Sequence, residues 1–365
     1  MRRHYVLIII WLLLSIYGTM MAFSAGYINT LLAGGFIYSH IVKQSAIIII
    51  LLILVYIFLL RKKITFYKTM KVVAPTLFII SLGLLVAVLI IGSERNNAKM
   101  VFDLFIVDFQ PLELYKITII MFLATRLEKI DHDVNLLELL SKVILPLFGS
   151  CLIILQPDLG GAIICAAVVY FMLIYNGQKV LQLIQLAAAG FIFAAISGFA
   201  LLQAYQLDRI TTWLNPFASS SGYQLQQSFI AISNGGLFGR GFMASVQKSF
   251  LPIPDSDFIF AIICEELGLI GAIFTVGLIF ALALYIIYIG TKAHERFGML
   301  YCFGIATLIV IQTIVNIGGV SGLIPMTGVT LPFISSGINS FIFLSIGVFA
   351  VIPISRESDI VKKKY

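Results

Sequence analysis

Charged side chains are scarce in this sequence: 24 Lys and Arg and 17 Asp and Glu make up 11% of 365 residues. Soluble domains carry about 25% charged residues and are about 45–50% apolar, whereas this chain is 60% hydrophobic. A soluble globular protein is excluded. Alternation of apolar and polar residues over about ten positions, the mark of a transmembrane β-barrel, is also missing. Cysteine is rare: Cys151, Cys165, Cys264 and Cys302 lie in apolar runs without pairing or metal-ligand spacing, and read as small buried hydrophobes. The four histidines are scattered, which argues against a zinc cluster. There is no internal repeat and no matching pair of broken helices of the kind inverted-repeat transporters usually carry.

What the chain does have is a series of apolar stretches of about twenty residues, the length of a membrane-crossing helix. Ten are expected, at roughly 5–25, 44–60, 72–92, 112–126, 138–156, 159–176, 180–204, 258–290, 297–318 and 330–353. Gln156-Pro157-Asp158 divides an otherwise overlong run into two spans, because proline ends the preceding helix. The expected fold class is an all-α polytopic membrane protein, one transmembrane domain over residues 1–365. Its one large extracytoplasmic loop, at about 205–257, joins helices 7 and 8.

Lysine and arginine set the orientation. With the N-terminus inside, cytoplasmic segments hold most of the 24, including Arg2, Arg3, Arg61, Lys62, Lys63, Lys179, Lys292, Arg296 and Lys362 to Lys364. The outer segments hold Lys43, Arg95, Lys99, Arg209, Arg240 and Lys248. The positive-inside rule then places both termini in the cytoplasm and the long polar loop outside. The net charge of +7 follows from this asymmetry and calls for no nucleic-acid partner. Arg2-Arg3 and Ala22-Phe23-Ser24-Ala25 resemble a signal peptide, but the long core and the many later spans favour an uncleaved first helix.

The polar interval ends in Leu-Pro-Ile-Pro-Asp-Ser-Asp, after which Phe258-Ile259-Phe260 enters an apolar run. Asp257 there has two readings. It is a helix N-cap, or a general base at the water–lipid boundary whose basicity is raised by partial desolvation. Asp255 is a rival for the second role. Glu265 and Glu266 lie about 12–13 Å further along the helix and project about 100° apart, so they cannot share one face. Glu113 and Lys116, at i and i+3, either neutralise each other or line a polar cavity. Asp158 is placed to cap the sixth helix. Arg209, Arg240 and Lys248, outside where cations are disfavoured, are candidates to hold phosphate. Gly318-Gly319, Gly322, Pro325, Gly328, Pro332, Ser335 and Gly337 mark irregular backbone, tolerated at membrane depth where it lines a cavity or packs inside protein.

Taken in order, several segments resemble the SEDS (shape, elongation, division and sporulation) family, which includes RodA, FtsW and SpoVE. They are Phe109 to Lys116, Gln156 to Gly160, Asn215-Pro216, Gly222 to Leu225 with its Gln224, Gln227-Ser228, Gly235 to Gly239, Asp257 to Ala261, Glu265 to Gly268, and Asn316 through Gly328 to Ser335. The resemblance implies a ten-helix polymerase of peptidoglycan glycan strands that uses lipid II outside the membrane, beside a class B penicillin-binding protein. It also implies that Asp257 is the essential aspartate, that Glu113 and Lys116 are the cavity pair, and that Asp158 belongs to a Gln-Pro-Asp motif. The chain departs from the family pattern at Ile253, where glutamate is common, at Leu112 and Cys264, and at Ser336-Gly337-Ile338-Asn339-Ser340.

The expected reaction is glycosyl transfer from a polyprenyl-diphosphate-linked glycan to the 4-hydroxyl of a lipid-linked disaccharide, with Asp257 as base. Arg209, Arg240, Lys116 or a divalent cation (Mg or Mn) would stabilise the leaving diphosphate. A single inverting step needs no paired carboxylates of the retaining kind. The rivals are a lipid II flippase, which calls for charge at several depths, and a scaffold that anchors the penicillin-binding protein without turnover.

Overall fold

The computed structural model describes residues 3–57, 65–95, 98–103, 108–130, 134–156, 158–201, 204–217 and 222–364. Arg2, Arg61 to Lys63 and Pro157, which entered the orientation and span arguments above, lie outside the described residues. The chain is predominantly helical. Its principal helices are α1 (Arg3–Leu32), α2 (Ser39–Leu54), α3 (Thr65–Ile91), α4 (Pro111–Leu127), α5 (Leu136–Leu155), α6 (Leu159–Tyr175) and α7 (Val180–Leu201). They continue with α8 (Ala204–Leu214), α9 (Tyr223–Gly235), α10 (Ile259–Thr291), α11 (Arg296–Val320), α12 (Ile338–Phe349) and α13 (Val351–Lys364).

Among the described residues, six helices are long and apolar enough to cross a membrane: Arg3–Leu32, Ser39–Ile57, Lys68–Ile91, Ile259–Thr291, Arg296–Val320 and Ile338–Glu357. α6 and the apolar part of α7 are shorter. α1 shows how such a helix is built. Leu7, Trp11, Leu14, Gly18, Met21 and Ala25 recur every three or four residues on the buried face. Ile9, Leu13, Ile16 and Met20 recur with the same period on the exposed face. A helix apolar on both faces is stable only where its outer face meets lipid or protein.

Three expectations need correction. The chain is not purely helical: Ser93–Arg95 (β1), Ala98–Asp103 (β2) and Asp108–Phe109 (β3) form a small antiparallel sheet in the order β1-β2-β3. Phe102 pairs with Phe109, and their rings stack. The interval 205–257 is not simply a loop, because α8, α9 and a 3-10 turn at Gln247–Ser249 lie within it. The last expected span does not begin at 330. Residues 322–337 are irregular, and helix resumes only at Ile338.

α4 and α11 form the centre: Ile117, Ile119 to Ala124 and Leu127 of α4 are buried, as are most α11 residues. α10 packs on α11, α1 and α9, and breaks at Gly268, where φ is 67° and ψ is −165°. The break lets Gly236–Gly241 enter the helix: Leu269 N donates to Gly236 O, Arg240 N to Glu265 O and Gly241 N to Glu266 O. The loop thus takes up carbonyls that the kink releases.

A Cβ at Gly268 would collide with Gly239 N and Leu237 O, and its left-handed φ disfavours any side chain. Gly268→Val is therefore expected to destabilise the detergent-solubilised protein by roughly 2 kcal/mol or more. The measurement is thermal unfolding, and an unchanged midpoint contradicts this packing.

Candidate active site at the start of helix 10

Asp257 directly precedes α10 but does not cap it. The cap position is Phe258, and no side chain bonds the first turn. The Asp257 carboxylate instead accepts from Ser256 Oγ at 3.0 Å. It lines a cavity of about 300 Å³ with Asp208, Arg209, Thr212, Trp213, Gln224, Met326 and Gly328. Burial pushes its pKa up to about 6, and Asp255 and Asp158 reinforce the shift; the Ser256 bond and Arg209 oppose it. Of the two readings of Asp257, the geometry removes the capping one. Asp158 is the reverse case: its Oδ1 accepts from Gly161 N at 2.7 Å and caps α6. Burial raises its pKa too, against the pull of the Gly161 bond and Lys116.

A second cavity, of about 120 Å³, adjoins the first across Gly328, which lines both. Glu113, Lys116, Asp158, Thr330 and Ser340 are among its walls. Lys116 Nζ donates to Glu113 Oε1 at 2.7 Å and to Gln312 Oε1 at 3.2 Å. The pair both neutralises itself and lines a cavity, so the two readings of its spacing hold together. The i, i+3 spacing in the first turns of α4 makes that geometry automatic.

The irregular segment that forms the boundary is held by side chains. Asn316 Nδ2 donates to Val329 O at 2.7 Å and to Asp257 O at 3.0 Å. Arg209 Nη1 reaches Met326 O at 3.2 Å, and Trp213 Nε1 reaches Gly322 O at 2.8 Å. Ser335 is behind the site, donating to Ser256 O at 2.7 Å while accepting from Leu331 N. It fixes the backbone that carries Asp257 without lining either cavity.

Arg240 and Lys248 are elsewhere. Arg240 Nη1 pairs with Glu265 at 3.1 Å, and Lys248 Nζ with Glu266 at 3.3 Å and Met243 O at 2.7 Å. Glu265 also accepts from Ser245 Oγ, Val246 N and Gln247 N, and Glu266 from Ser24 Oγ. Both glutamates therefore bind the outer segment to α10 and α1. Neither lines either of these two cavities, nor do the cations beside them. Gln312 was missed in the sequence, and Asn316 was noted only as the start of a resembling segment, although two amides in an apolar helix were a usable signal. No group of three His, Cys, Asp or Glu side chains that could hold a metal converges among the described residues.

This geometry defines a polytopic helical membrane protein with a desolvated carboxylate and a guanidinium facing one cavity at the end of its bundle. The chain belongs to the family described as Cell cycle protein, which groups FtsW, RodA and SpoVE, over residues 4–360. It is 37% identical to the probable peptidoglycan glycosyltransferase FtsW of Aliivibrio salmonicida, over 77% of this chain and 72% of that protein. It is 36% identical to the Stage V sporulation protein E of Bacillus subtilis, over 80% and 81%. Among solved structures, a chain from a peptidoglycan synthase complex studied for coordination of polymerization and crosslinking matches with a TM-score of 0.78 at 26% identity, covering 97% of this chain and 98% of that one. The rod shape determining protein RodA of Thermus thermophilus matches with a TM-score of 0.68 at 25% identity, over 97% and 96%.

A carboxyl whose folded-state pKa lies above its unfolded value stabilises the fold below the unfolded pKa, and loses that contribution as pH rises through about 6. Asp257→Asn is thus expected to stabilise the protein above about pH 7 by roughly 1–2 kcal/mol, allowing for solvent screening. The gain should vanish near pH 4. Unfolding midpoints of both proteins across that range test it, and a gain independent of pH contradicts it. Lys248→Ala leaves the fully buried Glu266 without its cation. The expected loss is roughly 3–5 kcal/mol of stability, visible as lower folded yield on size-exclusion chromatography. Unchanged yield with weakened substrate binding would return Lys248 to a substrate role.

Proposed function

We propose that this chain is a peptidoglycan glycosyltransferase that polymerises lipid II on the outer face of the cytoplasmic membrane. The observation that carries the reading is the uncapped Asp257 carboxylate, raised in pKa and sharing a cavity with Arg209 and Gln224. The ionised carboxylate takes the proton from the acceptor 4-hydroxyl. That oxygen then bonds the anomeric carbon of the growing glycan, the carbon–oxygen bond to the diphosphate breaks with inversion, and polyprenyl diphosphate leaves. Arg209 offers a planar pair of donors to the diphosphate. A pKa near 6 keeps the base ionised at neutral pH while retaining proton affinity.

In this reading the chain works as one transmembrane unit over residues 1–365, with about ten spans and both termini in the cytoplasm. Described helices that overlap the expected spans, and the distribution of Lys and Arg, support that topology. The similarity to a chain of a peptidoglycan synthase complex supports a class B penicillin-binding protein as partner. The described residues build no metal centre of their own. A divalent cation, Mg or Mn, fits instead as a counter-ion that enters with the substrate's diphosphate, and no step is assigned to it.

The test is polymerisation of lipid II by the purified protein, alone and with a class B penicillin-binding protein, with product lengths read on a gel. Wild type is expected to make glycan strands and Asp257→Ala to fall by about 100-fold or more, the range for losing a general base. Strands from the variant at the wild-type rate would remove Asp257 as base. Absence of strands from wild type with partner, beside an active relative, would favour the scaffold.

A further inference from the structure

Asp255, the rival of Asp257 by sequence, lines neither cavity. Its side chain meets α2 instead, with Oδ2 at ion-pair distance, 3.8 Å, from His40 Nε2. Asp255 is 9% exposed, and the His40 side chain is about a third exposed. We propose that His40 is a positioning residue of the reaction, which holds Asp255 and through it sets the place and the charge environment of Asp257. The proposal rests on the glycosyltransferase reading, with Asp257 as base, and extends the working parts of the site to α1 and α2.

The backbone is shaped for this contact. Gly26 of α1 faces both side chains: a Cβ there would lie 3.3 Å from His40 Nε2 and 3.4 Å from Asp255 Cβ. Any larger residue would press on the pair, so Gly26 leaves the notch in which it forms. The chain that carries Asp255 is pinned as well. Ser336 N donates to Asp255 O at 2.9 Å, Ser335 Oγ to Ser256 O at 2.7 Å and Asn316 Nδ2 to Asp257 O at 3.0 Å. Three successive carbonyls are thus bound to α11 and the irregular segment. His40 ties the same stretch to α2 through a side chain, two residues before the base.

Charge gives the pair its second effect. The negative charge of Asp255 raises the proton affinity of Asp257, and an imidazolium beside Asp255 offsets that charge. Histidine is the side chain whose charge changes between about pH 5 and 8. As the pH outside falls, His40 gains a proton and lessens the push on Asp257, so the base stays ionised further into acid. Few other groups bear on His40. The first turn of α2 disfavours a cation, and Lys43 is exposed one turn along. α1 adds Tyr27 beside Gly26 and, through Ser24, the Glu266–Lys248 pair. α12 and residues 322–337 carry no ionisable side chain. Among the described residues Asp255 is the one carboxylate within ion-pair reach of His40.

The test is the pH profile of lipid II polymerisation by the full chain with its penicillin-binding partner. Wild type is compared with His40→Gln, His40→Lys, Asp255→Asn and the double variant His40→Gln, Asp255→Asn. The acid limb of kcat/KM reports ionisation of the base. His40→Gln is expected to move that limb up by about 0.5 pH unit, and Asp255→Asn to move it down by about as much, less than the one to three units of a charge in direct contact. His40→Lys, a cation throughout, should return the limb to the wild-type position or below. The double variant should match Asp255→Asn, because His40 acts through Asp255. A packing role alone would lower the rate without moving the limb. Equal limbs in all five proteins would overturn the proposal, as would a His40→Gln shift that persists without Asp255. Should Asp255→Asn not fold, the shift in His40→Gln and its reversal in His40→Lys decide alone.

A second measurement needs no turnover. The stability gained by Asp257→Asn rises through the pH at which Asp257 ionises. Unfolding midpoints with and without Asp257→Asn, in the wild-type and the His40→Gln backgrounds, therefore read the same displacement. The rise is expected at higher pH in the His40→Gln background, and a rise at the same pH in both would overturn the proposal. Failure of wild type to polymerise would count against the glycosyltransferase reading, while these midpoints still decide whether His40 acts on residue 257.

Discussion

The site depends on one constraint: irregular backbone inside an apolar bundle must find hydrogen-bond partners in the protein. Residues 322–337 interrupt helix between α11 and α12, and their free carbonyls cannot turn to lipid. The partners are side chains from elsewhere in the chain, with Asn316 on Val329, Gln312 on Thr330, Arg209 on Met326 and Trp213 on Gly322. An unsatisfied buried carbonyl costs about 1–3 kcal/mol, so each bond both stabilises the segment and fixes its path. The path is what separates, and joins, the two cavities at Gly328.

The same constraint explains where charge is placed. Three buried glutamates are each paired with a Lys or Arg, and each pair has a structural task. Lys116 and Glu113 hold the wall of the inner cavity, while Arg240 with Glu265 and Lys248 with Glu266 bind the outer segment to the kink of α10. Asp257 is different: its carboxylate is desolvated, does not cap a helix, and takes its hydrogen bond from Ser256 Oγ. The protein keeps a carboxyl there at a cost to stability, as active sites do.

Much of this was legible in the sequence, for identifiable reasons. The apolar runs gave helix positions because lipid removes the polar face that makes soluble helices ambiguous. The i, i+3 spacing of Glu113 and Lys116 gave their contact, since helix geometry alone brings them together. The proximity of Asp257 to a helix start was visible, but its failure to cap was not, because capping depends on backbone angles at Phe258. Arg240 and Lys248 looked like phosphate ligands because their true partners, Glu265 and Glu266, lie 18 to 25 residues away and meet them only through the break at Gly268. The sheet at Ser93–Phe109 was missed because its strands are too short for alternation to register.

In the proposed reaction Asp257 faces a reacting hydroxyl while Arg209 faces the diphosphate. The most direct measurement is a cryo-electron microscopy structure of Asp257→Asn with lipid II, the substitution preserving shape while removing the base. The acceptor 4-hydroxyl is expected within about 2.6–3.2 Å of the residue 257 side chain, with the diphosphate against Arg209. A diphosphate bound beside Arg240 and Lys248, or a sugar out of reach of residue 257, would contradict it.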